Sequence, residues 1–281
     1  AWTAVVATAV SPRRRAQLNG TRWAIMSLVS ALSSAFFGWL LDQIAFPLNY
    51  QVVFFISFFL AGLDPFFFAR IRVPPLAPPT LTQSRNLVKR VRGYIQPALS
   101  YKPFLVYLGA TLLYRVALNL PVPLFSLYWV NELQAPDTLI GLRGTIGYGA
   151  LVVGYMLWGR SANKLGHRRV LFISALGLAL YPLLTGLSHS SAWLLPVALI
   201  WGLTASGVDV ALFDLMLGAC PQERQPLFAA LWAIAANLAA FAGPLLGASL
   251  SNVTGLAGAL IIGAAIQVLT VLPFIALPKD D

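Results

Sequence analysis

An all-α membrane protein, a polytopic helical bundle, is the fold class this 281-residue sequence predicts, and three observations carry it. Hydrophobic residues make up 58% of the chain and charged residues only 10%, where a soluble domain carries roughly 25% charged, so an ordinary soluble enzyme is excluded, and so is a disordered chain. The apolar residues gather into runs of membrane length. The basic residues gather into the connections on one side of those runs.

A spanning helix needs about 20 mostly apolar residues, because the hydrocarbon core is about 30 Å thick and a helix rises about 1.5 Å per residue. The stub Ala1–Val10 is too short to cross alone and reads as the end of a further helix. Eight complete candidates follow it, at 23–41, 50–69, 103–130, 139–159, 170–188, 192–219, 227–250 and 254–277. The longest connection, 70–102, holds Pro74, Pro75, Pro78 and Pro79 and then Arg85, Lys89, Arg90 and Arg92. Its prolines resist a continuous helix, and the NLVKRVRGYI stretch behind them suits an amphipathic helix on an anionic membrane surface.

If every run crosses once, the connections 11–22, 70–102, 160–169 and 220–226 and the tail 278–281 share one side. They contain 17 of the 19 Lys and Arg residues, and the opposite connections contain none. Arg115 and Arg143, the other two, lie inside runs. The positive-inside rule makes the basic side cytoplasmic, and hence the protein a multi-pass component of a cell (inner or plasma) membrane. The net charge of +10 is then a topology signal, and nucleic acid drops out as a partner. A single cysteine, Cys220, and two histidines, His167 and His189, rule out an internal disulfide and a cysteine cage for a metal, so no cofactor is expected.

Shifting the chain by 209 residues aligns Pro12 with Pro221, Arg15 with Arg224, Leu18 with Leu227 and Trp23-Ala24-Ile25 with Trp232-Ala233-Ile234. The same shift pairs Ala31 with Ala240, Gly38 with Gly247 and Leu41 with Leu250. Both copies start on the basic side, so the repeat is parallel, which is one of the known transporter architectures. Ala1 would correspond to Val210, and about 105–110 residues, about three helices and most of a fourth, would precede it in a form with twelve spans.

Between 139–159 and 170–188 the chain reads Gly159-Arg-Ser-Ala-Asn163-Lys164-Leu-Gly166-His167-Arg168-Arg169. This loop resembles the signature of the major facilitator superfamily, Gly-x-x-x-Asp-Arg/Lys-x-Gly-Arg/Lys-Arg/Lys, which lies between the second and third helices of each six-helix half. Asn163 stands where the pattern has Asp, and His167 where it has a basic residue. The resemblance implies two parallel six-helix repeats with the first half incomplete. Residues 1–73 would be the end of the first bundle, from the last part of its fourth helix, with 74–102 the cytoplasmic linker and 103–281 the second bundle. In the loop Gly166 permits a tight turn and Gly159 a close helix contact. Asp214 with Arg168 or Arg169 is the candidate cytoplasmic latch, with Asn163 and Lys164 part of the same gate; the alternative is that these cations only enforce topology.

Ionisable residues inside the membrane are costly and are functional candidates by default. Arg115 lies thirteen residues beyond Lys102, and Asp209 twelve before Pro221, so both sit about 18–20 Å from the basic side. The resemblance places them on the seventh and tenth helices, along a central cavity. They are expected to pair or to share a polar cluster, Asp209 as proton or cation acceptor and Arg115 as its partner or as an anion ligand; the alternative is a permanent structural ion pair. Asp209 and Asp214 are about 140° apart around a helix and so do not form one site. Pro121 and Pro123 should break the outer half of their helix, making Asn119 and Tyr128 candidate cavity residues, and Asn237 is a further mid-membrane polar candidate. Asp64 and Arg143, near span ends, are expected to pair locally or snorkel. Serines Ser27, Ser30, Ser33 and Ser34 read as helix-packing residues. The segment Gly243-Pro244-Leu-Leu-Gly247 looks like the bend that antiporter members carry in their fifth helix, but the first-half positions are Ser34, Ala35 and Gly38, which weighs against a drug–proton antiporter.

The function expected is a secondary active transporter that moves a small solute by alternating access, coupled to protons on the strength of the resemblance and of Asp209. A membrane-embedded enzyme lacks a catalytic constellation at membrane depth. A transporter-like receptor or partner subunit, or an inactive truncated fragment, is the remaining alternative. The bilayer, a small solute and protons are the partners expected, and the residues do not fix an oligomeric state.

Overall fold

The computed structural model describes residues 12–70, 95–96, 98–220 and 225–276. The apolar stub, most of the proline-rich linker with its candidate amphipathic stretch, and the basic residues Arg224 and Lys279 lie outside the described residues. Among the described residues every regular element is helical: α1 Pro12–Gln43, α2 Leu48–Ala69, α3 Lys102–Asn119, α4 Val122–Leu127, α5 Asp137–Leu165, α6 His167–Gly186, α7 Leu194–Gly218 and α8 Gln225–Val271.

Among the described residues, seven helical stretches are long and apolar enough to cross a membrane, the last being Leu227–Ile275 with 49 residues. A straight helix of that length would measure about 73 Å, more than twice the hydrocarbon thickness. Gly255 breaks it, at φ 74° and ψ 171°. A Cβ added at Gly247 would strike the carbonyl oxygen of Leu120, and one at Gly263 would come within 3.2 Å of Leu120 Cδ2. Residues on both sides of Gly255 thus meet the same leucine, and α8 is a helical hairpin. The expected runs 227–250 and 254–277 are its two arms, which brings the crossings to the eight read from the sequence.

α3 leaves regular helix where its prolines dictate. It stops at Asn119, turns through Leu120 and Pro121, resumes as α4, and ends in a π-helical turn over Tyr128–Glu132. Pro121 has no N–H to offer the Ala117 carbonyl one turn earlier. Gln267, almost fully buried in the second arm of α8, donates its Nε2 to that carbonyl at 3.4 Å. A polar side chain from a neighbouring span thus satisfies the backbone group that the proline leaves open, as the membrane interior requires.

The remaining architecture is helix on helix. α5 and α6 both pack against α7, and α8 packs against α3 and α6. Phe104 of α3 and Phe228 of α8 meet edge to face at 4.6 Å, and Tyr107 Oη donates to the Leu212 carbonyl of α7 at 2.6 Å. α1 lies along α5 through small residues. A Cβ on Gly38 would fall 2.7 Å from Gly141 Cα, and Ser34 Oγ donates to the Gly141 carbonyl at 3.0 Å. Thr145 Oγ1 returns a bond to the Ala31 carbonyl at 2.8 Å. In lipid, close backbone approach and interhelical hydrogen bonds replace the hydrophobic effect as the source of helix association, which accounts for Ser34 as a packing residue. α2 has Asn49 as its buried residue, while Phe54, Phe55, Phe58 and Phe59 are open on its surface, as suits a face toward acyl chains.

Candidate functional site

Tyr107, Thr111, Tyr114 and Arg115 are spaced four, seven and eight residues from the first of them, so they share one face of α3. Tyr107, Thr111 and Tyr114 are fully buried, and Arg115 is partly so. The Arg115 guanidinium carbon lies 4.6 Å from the ring centroid of Trp232 on α8. A cation over an indole face is worth about 2 kcal/mol or more when desolvated, and that contact offsets part of the cost of holding Arg115 at this depth. Its Nε is buried without an acceptor, as is the hydroxyl of Tyr114. The Thr111 hydroxyl and the Trp232 indole nitrogen lie beside the Tyr107 hydroxyl but outside hydrogen-bonding geometry.

Asp209, on α7, faces α5. Tyr155 donates its hydroxyl to Asp209 Oδ2 at 2.9 Å, and the carboxylate is otherwise open at the surface of the described helices. Asp209 and Arg115 do share a neighbourhood, since both act on Tyr114 through their charges and Arg115 acts on Asp209. The direct ion pair expected between them does not form. Arg115 leans on α8 and Asp209 is drawn toward α5, leaving an acid held by a tyrosine and a cation held by an indole.

The other mid-membrane candidates divide. Asn119 Nδ2 donates to the Arg115 carbonyl at 2.7 Å, and a Cβ on Gly243 would sit 2.7 Å from Asn119 Cβ, so Asn119 serves the α3–α8 contact. Asn237 Nδ2 likewise bonds within its own helix, to Ala233 at 2.8 Å. Tyr128 is buried, and its hydroxyl donates to the Ser188 carbonyl at 2.9 Å, which ties the π-helical turn to the end of α6. Arg143 does not snorkel. Its guanidinium lies 4.6 Å from the Trp129 ring, 5.2 Å from Tyr181 and 5.3 Å from Trp201, and it donates to the Tyr181 hydroxyl. Three rings from three segments supply what water would at the surface. Asp64 is exposed on α2.

On the basic side, Gly166 adopts φ 82° and ψ 148° between α5 and α6, a conformation that favours glycine and makes the tight turn expected of it. Gly159 makes no close contact: it is exposed, and an added Cβ would meet nothing within 4 Å. Asp214 pairs with His167 Nδ1 at 3.1 Å and not with either arginine. Arg168 instead donates to the Ile275 carbonyl at 2.6 Å, while Arg169 and Lys164 are exposed. The side chain of Asn163 lies outside the described residues. Just beyond Gly166 the chain carries His167 toward α7 and Arg168 toward the helical turn at Leu272–Ala276, so one of the two residues at which the loop departs from its pattern, His167, is the one that meets the acid. The pair joins elements on the same side of the proline-rich linker, so it braces the loop against α7.

Four participants escape a reading of the chain alone: Tyr155, Trp232, His167 as a partner, and the ring cage of Arg143. A tyrosine or tryptophan in an apolar run carries no local signal of a polar role. The one signal available was the charge each of them meets.

A family model described as the Major Facilitator Superfamily matches residues 107–281, about three fifths of the chain. No curated protein matches the chain.

Proposed function

The chain belongs to the major facilitator superfamily, a family of membrane transporters, and from that premise we propose that it moves a small solute by alternating access, driven by a proton gradient. The observation that carries the coupling is Asp209. It is a carboxylate at mid-depth that accepts a hydrogen bond from a neutral hydroxyl, that of Tyr155, so a proton can come and go without breaking an ion pair. Arg115, close enough to sense that charge, is the group that would feel the change. The basic connections put the loop Gly159–Arg169 on the cytoplasmic side, by the positive-inside rule. The halves 1–73 and 103–281, separated by the linker 74–102, are the bodies that rock. The small-residue contact of α1 with α5 is where one closes on the other.

The test uses the full chain in liposomes that enclose a pH-sensitive dye, screened against a panel of small solutes. Proton movement that depends on one solute and disappears in Asp209→Asn supports the reading. Solute movement that is unchanged in Asp209→Asn, or no solute-dependent flux from any member of the panel, overturns it.

A further inference from the structure

We propose that the cluster around Arg115 is a subsite for the carboxylate of an organic anion; this rests on the transporter reading for its biological role but not for its chemistry. The groups at the site are one-sided. Arg115 Nε can only donate, and it is buried without an acceptor. The Tyr114 hydroxyl beside it is fully buried and also unpartnered, and the indole N–H of Trp232, beside the Tyr107 hydroxyl but outside hydrogen-bonding geometry with it, is a third donor. Thr111, one turn before Arg115 on the same face, adds a fourth donor, its hydroxyl, in the same condition. The acid whose charge reaches Tyr114 and Arg115, Asp209, is engaged by Tyr155 of α5. Buried donors left without acceptors destabilise the site, and a carboxylate, with two oxygens and no protons, is the small group that meets several of them together. Arg115 would have to move off the Trp232 face to meet it, and the vacated indole face offers a platform for a flat apolar body on the anion.

Charge then constrains the coupling. Arg115 and Asp209 together are neutral, and a bound monoanion leaves one negative charge in a low-dielectric site unless Asp209 takes up a proton. The groups facing Asp209 are Tyr155 from α5 and Tyr114 and Arg115 from α3, so Asp209 is the group there that can accept it. One proton therefore accompanies each anion, and the transport step carries no net charge.

The experiment uses three planar probes of one shape: benzoate, benzamide and benzamidine, which are anionic, neutral and cationic. Binding to the purified chain is read from tryptophan fluorescence and thermal unfolding, and flux is read in liposomes with the membrane potential clamped by potassium and valinomycin. Benzoate should bind at least tenfold more tightly than benzamide or benzamidine. Arg115→Ala should remove that preference, and Arg115→Lys should restore part of it while leaving the unfolding temperature of the unliganded protein within a degree or two of the parent. Equal binding of the three probes, preference for benzamidine, or a benzoate preference that survives Arg115→Ala overturns the subsite. If benzoate binds through Arg115 but no proton-coupled flux accompanies it, the subsite stands and the transporter reading fails. If another solute drives proton flux while benzoate shows no preference, the transporter reading stands and the subsite fails.

Discussion

Asp42, at the end of α1, accepts a hydrogen bond from the backbone N–H of Thr138 at 2.9 Å, so a side chain from one helix caps the first turn of another, 96 residues away in sequence. The first N–H groups of a helix have no partner within it and carry partial positive charge, which a carboxylate satisfies on both counts. Replacing Asp42 by Ala should therefore destabilise the fold by about 0.5–2 kcal/mol, with Asn retaining much of the bond. Thermal unfolding of the purified variants in detergent checks it. Equal unfolding temperatures for parent and Ala variant would show that the cap contributes nothing.

The same two helices make a second prediction at Gly141. A Cβ there would lie 2.5 Å from the Ser34 carbonyl oxygen and 2.8 Å from Gly38 Cα, both backbone atoms that cannot step aside. Gly141→Val should cost about 1–3 kcal/mol by forcing α1 off α5. Gly62→Ala, where an added Cβ meets nothing within 4 Å, should leave the unfolding temperature unchanged or slightly raised.

Tyr155 offers a milder perturbation than loss of the acid itself. A hydrogen bond to a charged group contributes about 1.5–3 kcal/mol, so Tyr155→Phe should slow proton-coupled uptake by roughly tenfold or more while Asp209 remains in place. A variant as fast as the parent at every pH would remove Tyr155 from the site.

His167 and Asp214 are each about one-third exposed, and a pair so open to water should couple by less than about 1 kcal/mol. A double-mutant cycle of His167→Ala and Asp214→Asn on unfolding temperature measures that coupling directly. His167→Arg, which brings in the basic residue of the loop pattern, should keep the contact. Complete additivity of the two substitutions would mean that the proximity carries no energy.

Cys220 gives a chemical check on packing at the end of α7. Its thiol is buried, and burial raises it from the usual range to about 11. The reactive species is the thiolate, which at pH 7 would amount to about one molecule in ten thousand. Maleimide should label native protein very slowly at pH 7, faster as pH rises, and quickly once the chain is unfolded. Rapid labelling of the native protein at pH 7 would show that this end of α7 is open.

The spans were legible because membrane crossing is a one-dimensional property: a length of apolar residues either reaches across or does not. The mid-membrane charges Arg115 and Asp209 stood out for the same reason, as ions in apolar runs. Their partners were not legible, because a partner is chosen by the rotation of each helix about its axis, and no run length records that. Asp209 faces α5 and so meets Tyr155; Arg115 faces α8 and so meets Trp232. Arg143, read as a residue that reaches for water, is turned inward onto three rings that lie 14, 38 and 58 positions away in the chain. The prolines at 121 and 123 announced a break, but not that Gln267, 150 residues away from Ala117, would close the carbonyl they leave open.

The single-glycine joint at Gly255 also bears on how the protein moves. Two arms joined so tightly leave almost no chain between them to sit in water, so in the finished fold neither arm can slide or tilt far without drawing the other along. The hairpin therefore travels as one unit in any motion of the bundle.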